Sequence, residues 1–404
     1  MPVISIVIPV FNVERYLPQC LNSIRNQSFT DFEAICVDDG STDGSGDLLD
    51  RYAQVDSRFR VIRTDNCGVG HARNTGIDAA QGAIISFVDA DDRVTTNYCE
   101  TILRLFRDSS LDIVKFSANP FPVPFPNEWM AYTLRLPDRV FRSYSDSLMY
   151  DEPCRPFPWN GAYRASFLKD AKIHFPEGLP LGEDQVFSFS TVGRAQGIRF
   201  SSARLYGYRV SRKDSAMALF ADNHSLRIDQ HLTMISSILD EWESQGRLTG
   251  ESANNMARFV CDFIVPDLFL VDYEADLERL CGRYRDILLS HFSNIVSFDK
   301  ISDCPSCLWT SDILKGFDLS ALFSGNSKYR YTAKRAGRRA ALRCFRADSL
   351  KRIRSVLGIA SRRALEEAAE LNAAYRDDAA LSEAELASFE DDYANLTKVY
   401  DRRD

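Results

Sequence analysis

The feature that most constrains this chain is the alternation running through its first 119 residues. "ISIVIPVF" (4–11) is a short apolar run rich in β-branched residues, followed by Leu17, Leu21 and Ile24 at helical spacing. "FEAICVDDG" (32–40) reads as a second strand. "DLLDRYAQ", "FRVIRT", "ARNTGIDAAQ", "GAIISFVDADD", "NYCETILRLFRD" and "LDIVKFSAN" then alternate as helix, strand, helix, strand, helix and strand. Short apolar strands separated by helices predict βαβ units, and so an α/β fold with a mostly parallel sheet and flanking helices. In such sheets ligands bind beyond the carboxyl ends of the strands. Two of the predicted strands end there in acids, "VDD" and "VDADD".

At 404 residues the chain exceeds what one compact core accommodates. The expected division is an α/β domain over 1–215, a mainly helical domain over 216–325 and a C-terminal segment, basic then acidic, over 326–404. "NPFPVPFPN" (119–127) and "EPCRPFPWN" (152–160) read as ordered loops. A composition of 45% hydrophobic and 26% charged residues is globular, and a net charge of −8 argues against nucleic acid as a partner. The start "MPVISIVIPVF" has neither a basic stretch nor a small-residue cleavage site, and the ten cysteines are scattered; together they imply a cytoplasmic protein with reduced thiols. "FVCDFIVPDLFLVDY" (259–273) is too short and too charged to span a bilayer. The CxxC of Cys304 and Cys307 has no second pair to complete a zinc site. His224 and His231 lack the carboxylate company that a metal site needs.

Between Lys328 and Arg363 lies a basic region whose apolar residues Leu342, Phe345, Leu350, Ile353, Leu357 and Ala360 recur at three- to five-residue steps. An acidic, helix-prone stretch follows. Two readings stand: the pair forms a terminal hairpin, or the basic helix lies on an anionic membrane, placing the protein at the inner face of the plasma membrane. The same helices offer a route to oligomers.

The run "SFVDADDR" (86–93) packs Asp89, Asp91 and Asp92 into four positions. Two unit charges about 4 Å apart repel by roughly 4 kcal/mol at an effective dielectric near 20. The bland reading is a solvated turn before the next helix. A sheet that binds a diphosphate-linked donor gives the acids work. An Asp closing the second strand, Asp39, can accept from the N–H groups of a base. The "DAD" of 89–91 can hold Mg²⁺ or Mn²⁺ against phosphate oxygens, which offsets the repulsion. An acceptor hydroxyl then needs a general base, for which "LPLGEDQVF" (179–187) offers Glu183 and Asp184.

"SIVIPVFNVERYL", "VDDGSTDGS", "GVGHARNTGI", "FVDADD", "WNGAYR", "FPEGLPLGED" and "LYGYR" occur in this order over roughly residues 3–215. In that set and order the chain resembles the family 2 inverting glycosyltransferases of the GT-A fold. The resemblance implies that Pro9 and Asp39 contact the nucleotide base and that Gly68 and Arg73 lie near the nucleotide. It implies that Asp89 approaches the ribose and metal, Asp91 ligates the metal and Asp92 supports it. Asp184 becomes the catalytic base, Glu183 shapes its pocket, and Arg209 faces the diphosphate or metal. Trp159 is either core or a platform for the acceptor. Relatives commonly carry Lys where "WNGAYR" has Gly161, a departure that Arg155 or Arg164 could cover.

The implied activity is transfer of one sugar, from a nucleotide-sugar with UDP favoured, to a glycan or lipid-linked oligosaccharide, as in capsule or exopolysaccharide assembly. A processive synthase would show a QxxRW motif and membrane spans, and a dinucleotide-dependent dehydrogenase a G-x-G-x-x-G turn after the first strand; neither pattern is present. The alternative is a catalytically inactive sugar-nucleotide-binding or scaffold protein acting through its helical half.

Overall fold

The computed structural model describes residues 1–122, 128–152, 157–210, 223–271, 273–301 and 304–315, together with Ala384. The basic segment 328–363, Arg155 and all but one residue of the acidic stretch lie outside the described residues. Those described form two compact units, one of residues 1–179 and 183–210, the other of 180–182 and 223–315.

In the first unit the predicted alternation appears as β1 (Ile4–Val10), α1 (Leu17–Arg25), β2 (Phe32–Asp38), α2 (Ser45–Val55), β3 (Phe59–Arg63), α3 (Val69–Ala79) and β4 (Ile84–Phe87). β1 and β2 are buried over nearly their whole length, as strands covered on both faces must be. Pro9 fits in β1 because the ladder to β4 stops at Val7, so the missing N–H is not needed on that side. Helix α3 packs closely on β1: a Cβ at Gly76 would lie 2.2 Å from Cγ1 of Val7. Only glycine permits that approach.

The alternation continues past residue 119. After β5 (Arg93–Val94), α4 (Tyr98–Leu105) and β6 (Ile113–Phe121) come α5 (Glu128–Thr133), β7 (Arg139–Phe141) and α6 (Asp146–Tyr150). These are followed by β8 (Gly161–Arg164), α7 (Ala165–Asp170), α8 (Glu183–Arg194) and β9 (Ile198–Arg209). β8 has four residues and β9 exposes Ser202 and Arg204, so neither presents an unbroken apolar run. The nine-stranded sheet runs β3-β2-β1-β4-β8-β6-β9-β5, with β7 also on β9. It is parallel from β3 to β4, antiparallel on both sides of β8, and parallel again between β6 and β9. The α/β class with flanking helices is as expected, and the sheet is mixed beyond β4.

The second unit is helical over its described residues: α9 (His224–Ser244), α10 (Gly250–Leu268), α11 (Glu274–Phe292) and α12 (Pro305–Leu314). Its core holds Trp242, Met256, Val260, Leu280, Tyr284 and Trp309. The apolar run beginning at Phe259 ends α10, with Pro266 inside the helix. No helix among the described residues is long and apolar enough to cross a membrane. Cys304 is the N-cap of α12: its sulfur accepts from the backbone N–H of Cys307 at 3.3 Å, and both residues are buried. Helix capping accounts for this CxxC spacing.

Candidate functional site

The site is built at the carboxyl ends of β1, β2 and β4, where the parallel strands deliver their loops. After β2, Asp38 accepts from the N–H of Ser41 at 3.0 Å and turns the chain away. Asp39, 3% exposed, accepts from Thr64 Oγ1 (3.1 Å), Cys67 N (3.0 Å) and Gly68 N (2.8 Å). Both of its oxygens tie down the loop that leads into α3. Gly68 thus sits against Asp39 through its backbone N–H, a contact the sequence motifs did not specify.

The turn after β4 is clamped by β9. Tyr206 donates its hydroxyl to Asp92 Oδ2 at 2.7 Å and accepts from the backbone N–H of Asp89 at 3.0 Å. Arg209 donates its backbone N–H to Asp92 Oδ1 and its Nε–H to the carbonyl of Asp91, both at 2.6 Å. Its Nη2 reaches Gln19 at 2.6 Å, and its guanidinium lies over the rings of Tyr16 and Phe121 at 4.6 and 4.5 Å. Asp92 is buried within this clamp. Burial, then the charges of Asp91 and Asp89, push its carboxyl well above the usual carboxylate range. Asp89 and Asp91 remain half-buried.

Arg73 joins this turn to the acids of "GED". Its guanidinium is 3% exposed and donates from Nη2 to Asp89 Oδ1 at 2.9 Å. From Nη1 it donates to Glu183 Oε1 at 3.0 Å and Asp184 Oδ1 at 2.8 Å. The ring of Phe175 lies beneath it at 5.1 Å. Glu183 and Asp184 open α8, where the helix N-terminus favours carboxylates. The preceding Gly182 has φ +96°, a conformation that side-chain-bearing residues rarely adopt. Three carboxylates around one guanidinium leave an excess of negative charge. Burial, Glu183 and Asp89 push the Asp184 carboxyl well above the usual range, against the opposing pull of Arg73.

These residues could take a divalent cation. Asp89 and Asp91 offer hard oxygen donors on one turn, partly open to solvent, and Mg²⁺ or Mn²⁺ bound through one or two carboxylates completes its shell with water and phosphate oxygens. Among the described residues no cluster of three or more protein ligands forms a closed metal cage. The donor set therefore suits a cation brought with phosphate.

Trp159 is 1% exposed and lies in an aromatic stack with Phe157, Tyr206 and Tyr208. Gly161 is the cross-strand partner of Lys115 on β6, and a Cβ there would come within 3.2 Å of Lys115 Cδ. Lys115 Nζ donates to the carbonyl of Phe157 at 2.5 Å and to Asn160 Oδ1 at 2.9 Å. A lysine from the adjacent strand thus fills the space beside Gly161. Arg164, one of the two stand-ins suggested by the sequence, bonds the carbonyls of Leu111 and Asp108; the other, Arg155, lies outside the described residues. Tyr206, Tyr208, Gln19 and Lys115 were missed from the sequence. The "LYGYR" alternation places both tyrosines on one face of β9 and was the available signal for them.

A family model described as "Glycosyl transferase family 2" matches residues 5–170. The putative glycosyltransferase EpsH of Bacillus subtilis (strain 168) is 31% identical over 280 residues, which cover 61% of this chain and 79% of EpsH. The poly(ribitol-phosphate) β-N-acetylglucosaminyltransferase TarS of Staphylococcus aureus (strain Mu50) is 27% identical over 222 residues, 53% of this chain and 36% of TarS. The crystal structure of S. aureus TarS 1–349 in complex with UDP-GlcNAc superposes with a TM-score of 0.59 at 19% identity. That match covers 86% of this chain and 92% of the solved one.

Proposed function

The chain belongs to the family 2 glycosyltransferases and has their GT-A fold, and from that premise we propose that it transfers a single hexose from a UDP-sugar to a glycan or lipid-linked acceptor with inversion. The observation that carries this reading is the Arg73 bridge, which holds Asp89 of the "DAD" turn and Asp184 of "GED" on one guanidinium. A donor phosphate group and an attacking hydroxyl need these two acids within one substrate's length of each other. The UDP choice is supported by the fold shared with TarS, whose structure is described with UDP-GlcNAc. The name of TarS, a poly(ribitol-phosphate) β-N-acetylglucosaminyltransferase, supports a polymeric acceptor.

In this mechanism Asp184 accepts the proton of the acceptor hydroxyl, whose oxygen attacks the anomeric carbon from the face opposite the UDP leaving group. A carboxyl raised above its usual range is the better base near neutral pH. Arg73 fixes the Asp184 carboxylate and keeps it aimed. Tyr206 and Arg209 hold the 89–92 turn in one shape, so that no reorganisation is needed as charge moves. Asp89 and Asp91 would hold Mg²⁺ or Mn²⁺, which when bound stabilises the charge developing on the diphosphate. Pro9, Asp39 and Gly68 would form the nucleotide end of the cleft.

The test is release of the nucleoside diphosphate, UDP or GDP, across a panel of UDP- and GDP-sugars with Mn²⁺ or Mg²⁺, with and without acceptor glycans. Turnover on a UDP-hexose with a β-configured product from an α-configured donor is expected. No release from any donor, with tight nucleotide binding retained, would establish the inactive scaffold instead.

A further inference from the structure

Arg73 holds three carboxylates, and its Nη1 and Nη2 donors are committed to them. Those bonds fix the acids only if the guanidinium is itself held from another side. The ring of Phe175 provides that support, with its centroid 5.1 Å from the guanidinium carbon. A cation–π contact of this kind strengthens when both groups are out of water, and both are buried here. Phe175 also stacks on Phe187 of α8 at 3.9 Å and meets Phe87, the last residue of β4, edge-on at 5.3 Å. One ring thus touches the helix of Arg73, the helix of the "GED" acids and the strand that leads into the "DAD" turn.

Phe175 comes from a strap between α7 and α8 that forms neither helix nor strand. No ladder fixes such a segment, so its position is set by what its main chain docks against. Asn74 follows Arg73 on α3 and supplies the dock. Its Oδ1 accepts from the N–H of Phe175 at 2.8 Å, and its Nδ2 donates to the carbonyl of Phe175 at 2.9 Å and to Glu177 Oε1 at 3.2 Å. One carboxamide therefore satisfies both main-chain groups of one residue, as a neighbouring strand would. Asn74 is buried, so losing it leaves those groups unpaired away from water. The flanking contacts, His71 with Glu177 at 3.3 Å and His174 with Asp78 at 3.1 Å, are open to water and contribute less. The strap also lies tight against the helix: a Cβ at Gly70 would come within 2.6 Å of the Pro176 carbonyl oxygen.

Two consecutive residues of α3 thus divide the work: Arg73 reaches the acids, and Asn74 reaches the strap whose ring supports Arg73. We propose that Asn74 is a positioning residue for the transfer reaction: through the backbone of Phe175 it holds that ring against Arg73, and so sets where Arg73 places Asp184 relative to Asp89. The residue type fits the task. Aspartate could accept from the Phe175 N–H but not donate to its carbonyl, glutamine would push the strap away by one methylene, and alanine would do neither. Misplacing a reacting group by about 1 Å costs roughly 10²-fold in rate, so a small shift of the strap is felt at the chemistry. The Asp39–Gly68 contact does not involve the strap and stays in place. This assignment rests on the glycosyl-transfer reading above.

The test uses the full chain with whichever sugar nucleotide gives the fastest release of nucleoside diphosphate, at a temperature where circular dichroism shows each variant folded. Asn74→Ala is expected to lower kcat by about tenfold or more while the donor KM stays within about threefold. Asn74→Asp, which keeps the shape and one hydrogen bond, gives a smaller loss of the same kind and serves if the alanine variant does not fold. Phe175→Leu, which keeps an apolar side chain but removes the ring face, reproduces the kcat loss. In that background either Asn74 variant lowers kcat by less than about twofold further, because the two residues act in series. A merely structural asparagine would lower the melting temperature without this split or this non-additivity. The proposal is overturned if the Asn74 variants keep wild-type kcat, if kcat and donor affinity fall together, or if the Asn74 and Phe175 losses multiply. Absence of nucleoside diphosphate release by the wild type from every donor overturns the transfer reading, and this assignment with it, and is recognisable without any variant.

Discussion

Asp89 and Asp184 are held on two nitrogens of one buried guanidinium, at 2.9 Å from Nη2 of Arg73 and 2.8 Å from its Nη1. This arrangement makes Arg73 the keystone of the site and gives it a double role. It neutralises part of an acid cluster that would otherwise repel itself, and it fixes the separation between the turn after β4 and the start of α8.

Removing that guanidinium leaves three part-buried carboxylates without their partner. Breaking a buried charge network in this way costs about 3–5 kcal/mol. Arg73→Ala is expected to lower the melting temperature by roughly 10 °C. Arg73→Lys keeps the charge but cannot bridge, so it recovers part of the stability and little of the turnover. Calorimetry together with UDP release measures both; wild-type values in the lysine variant would remove Arg73 from its positioning role.

Asp184→Asn keeps the shape of the side chain and abolishes its capacity as a base. Transfer is expected to fall by about 10³, within the usual range for loss of a general base. UDP affinity, measured by titration calorimetry, stays within a few-fold of wild type. A parallel loss of nucleotide affinity would show that Asp184 belongs to the donor pocket.

Asp91→Ala bears on the cation. In the wild type, chelation is expected to weaken UDP-sugar binding at least tenfold, and readdition of Mn²⁺ to restore it. The variant binds the donor with the same weak affinity whether or not Mn²⁺ is present. Wild-type turnover undiminished by chelator would contradict the metal role of the turn.

The helical unit carries its own pH dependence. His231 packs against Phe263 and leaves a buried Nδ1 without a partner, and burial lowers its pKa to about 4, with Asp267 opposing and Arg227 assisting. A histidine depressed in the folded state binds fewer protons there than when unfolded. Stability is therefore full above about 6.5 and declines as pH falls toward 4, by up to about 3 kcal/mol. His231→Phe removes this titration and is expected to flatten the loss of melting temperature between pH 7 and 4.5 recorded by circular dichroism. An identical decline in the variant would place the acid sensitivity elsewhere.

Local pattern determined a good deal of this protein. The apolar strands of the first 119 residues, the helices between them and the acids at strand ends are each written within a dozen neighbouring residues, and short-range periodicity is what a lone sequence displays most directly. The tertiary structure decided which distant side chains meet. Register between strands remote in the chain, such as β4 with β8 and β6 with β9, has no local signature, and on it depend Lys115 beside Gly161 and Tyr206 of β9 against Asp89 and Asp92. For the same reason Trp159, legible as either core or platform, became core once β9 closed over it. Arg73 sits in a motif the sequence singles out, yet its role as a bridge follows only from α3 and α8 converging on one end of β4, where the crossovers of the sheet bring them together.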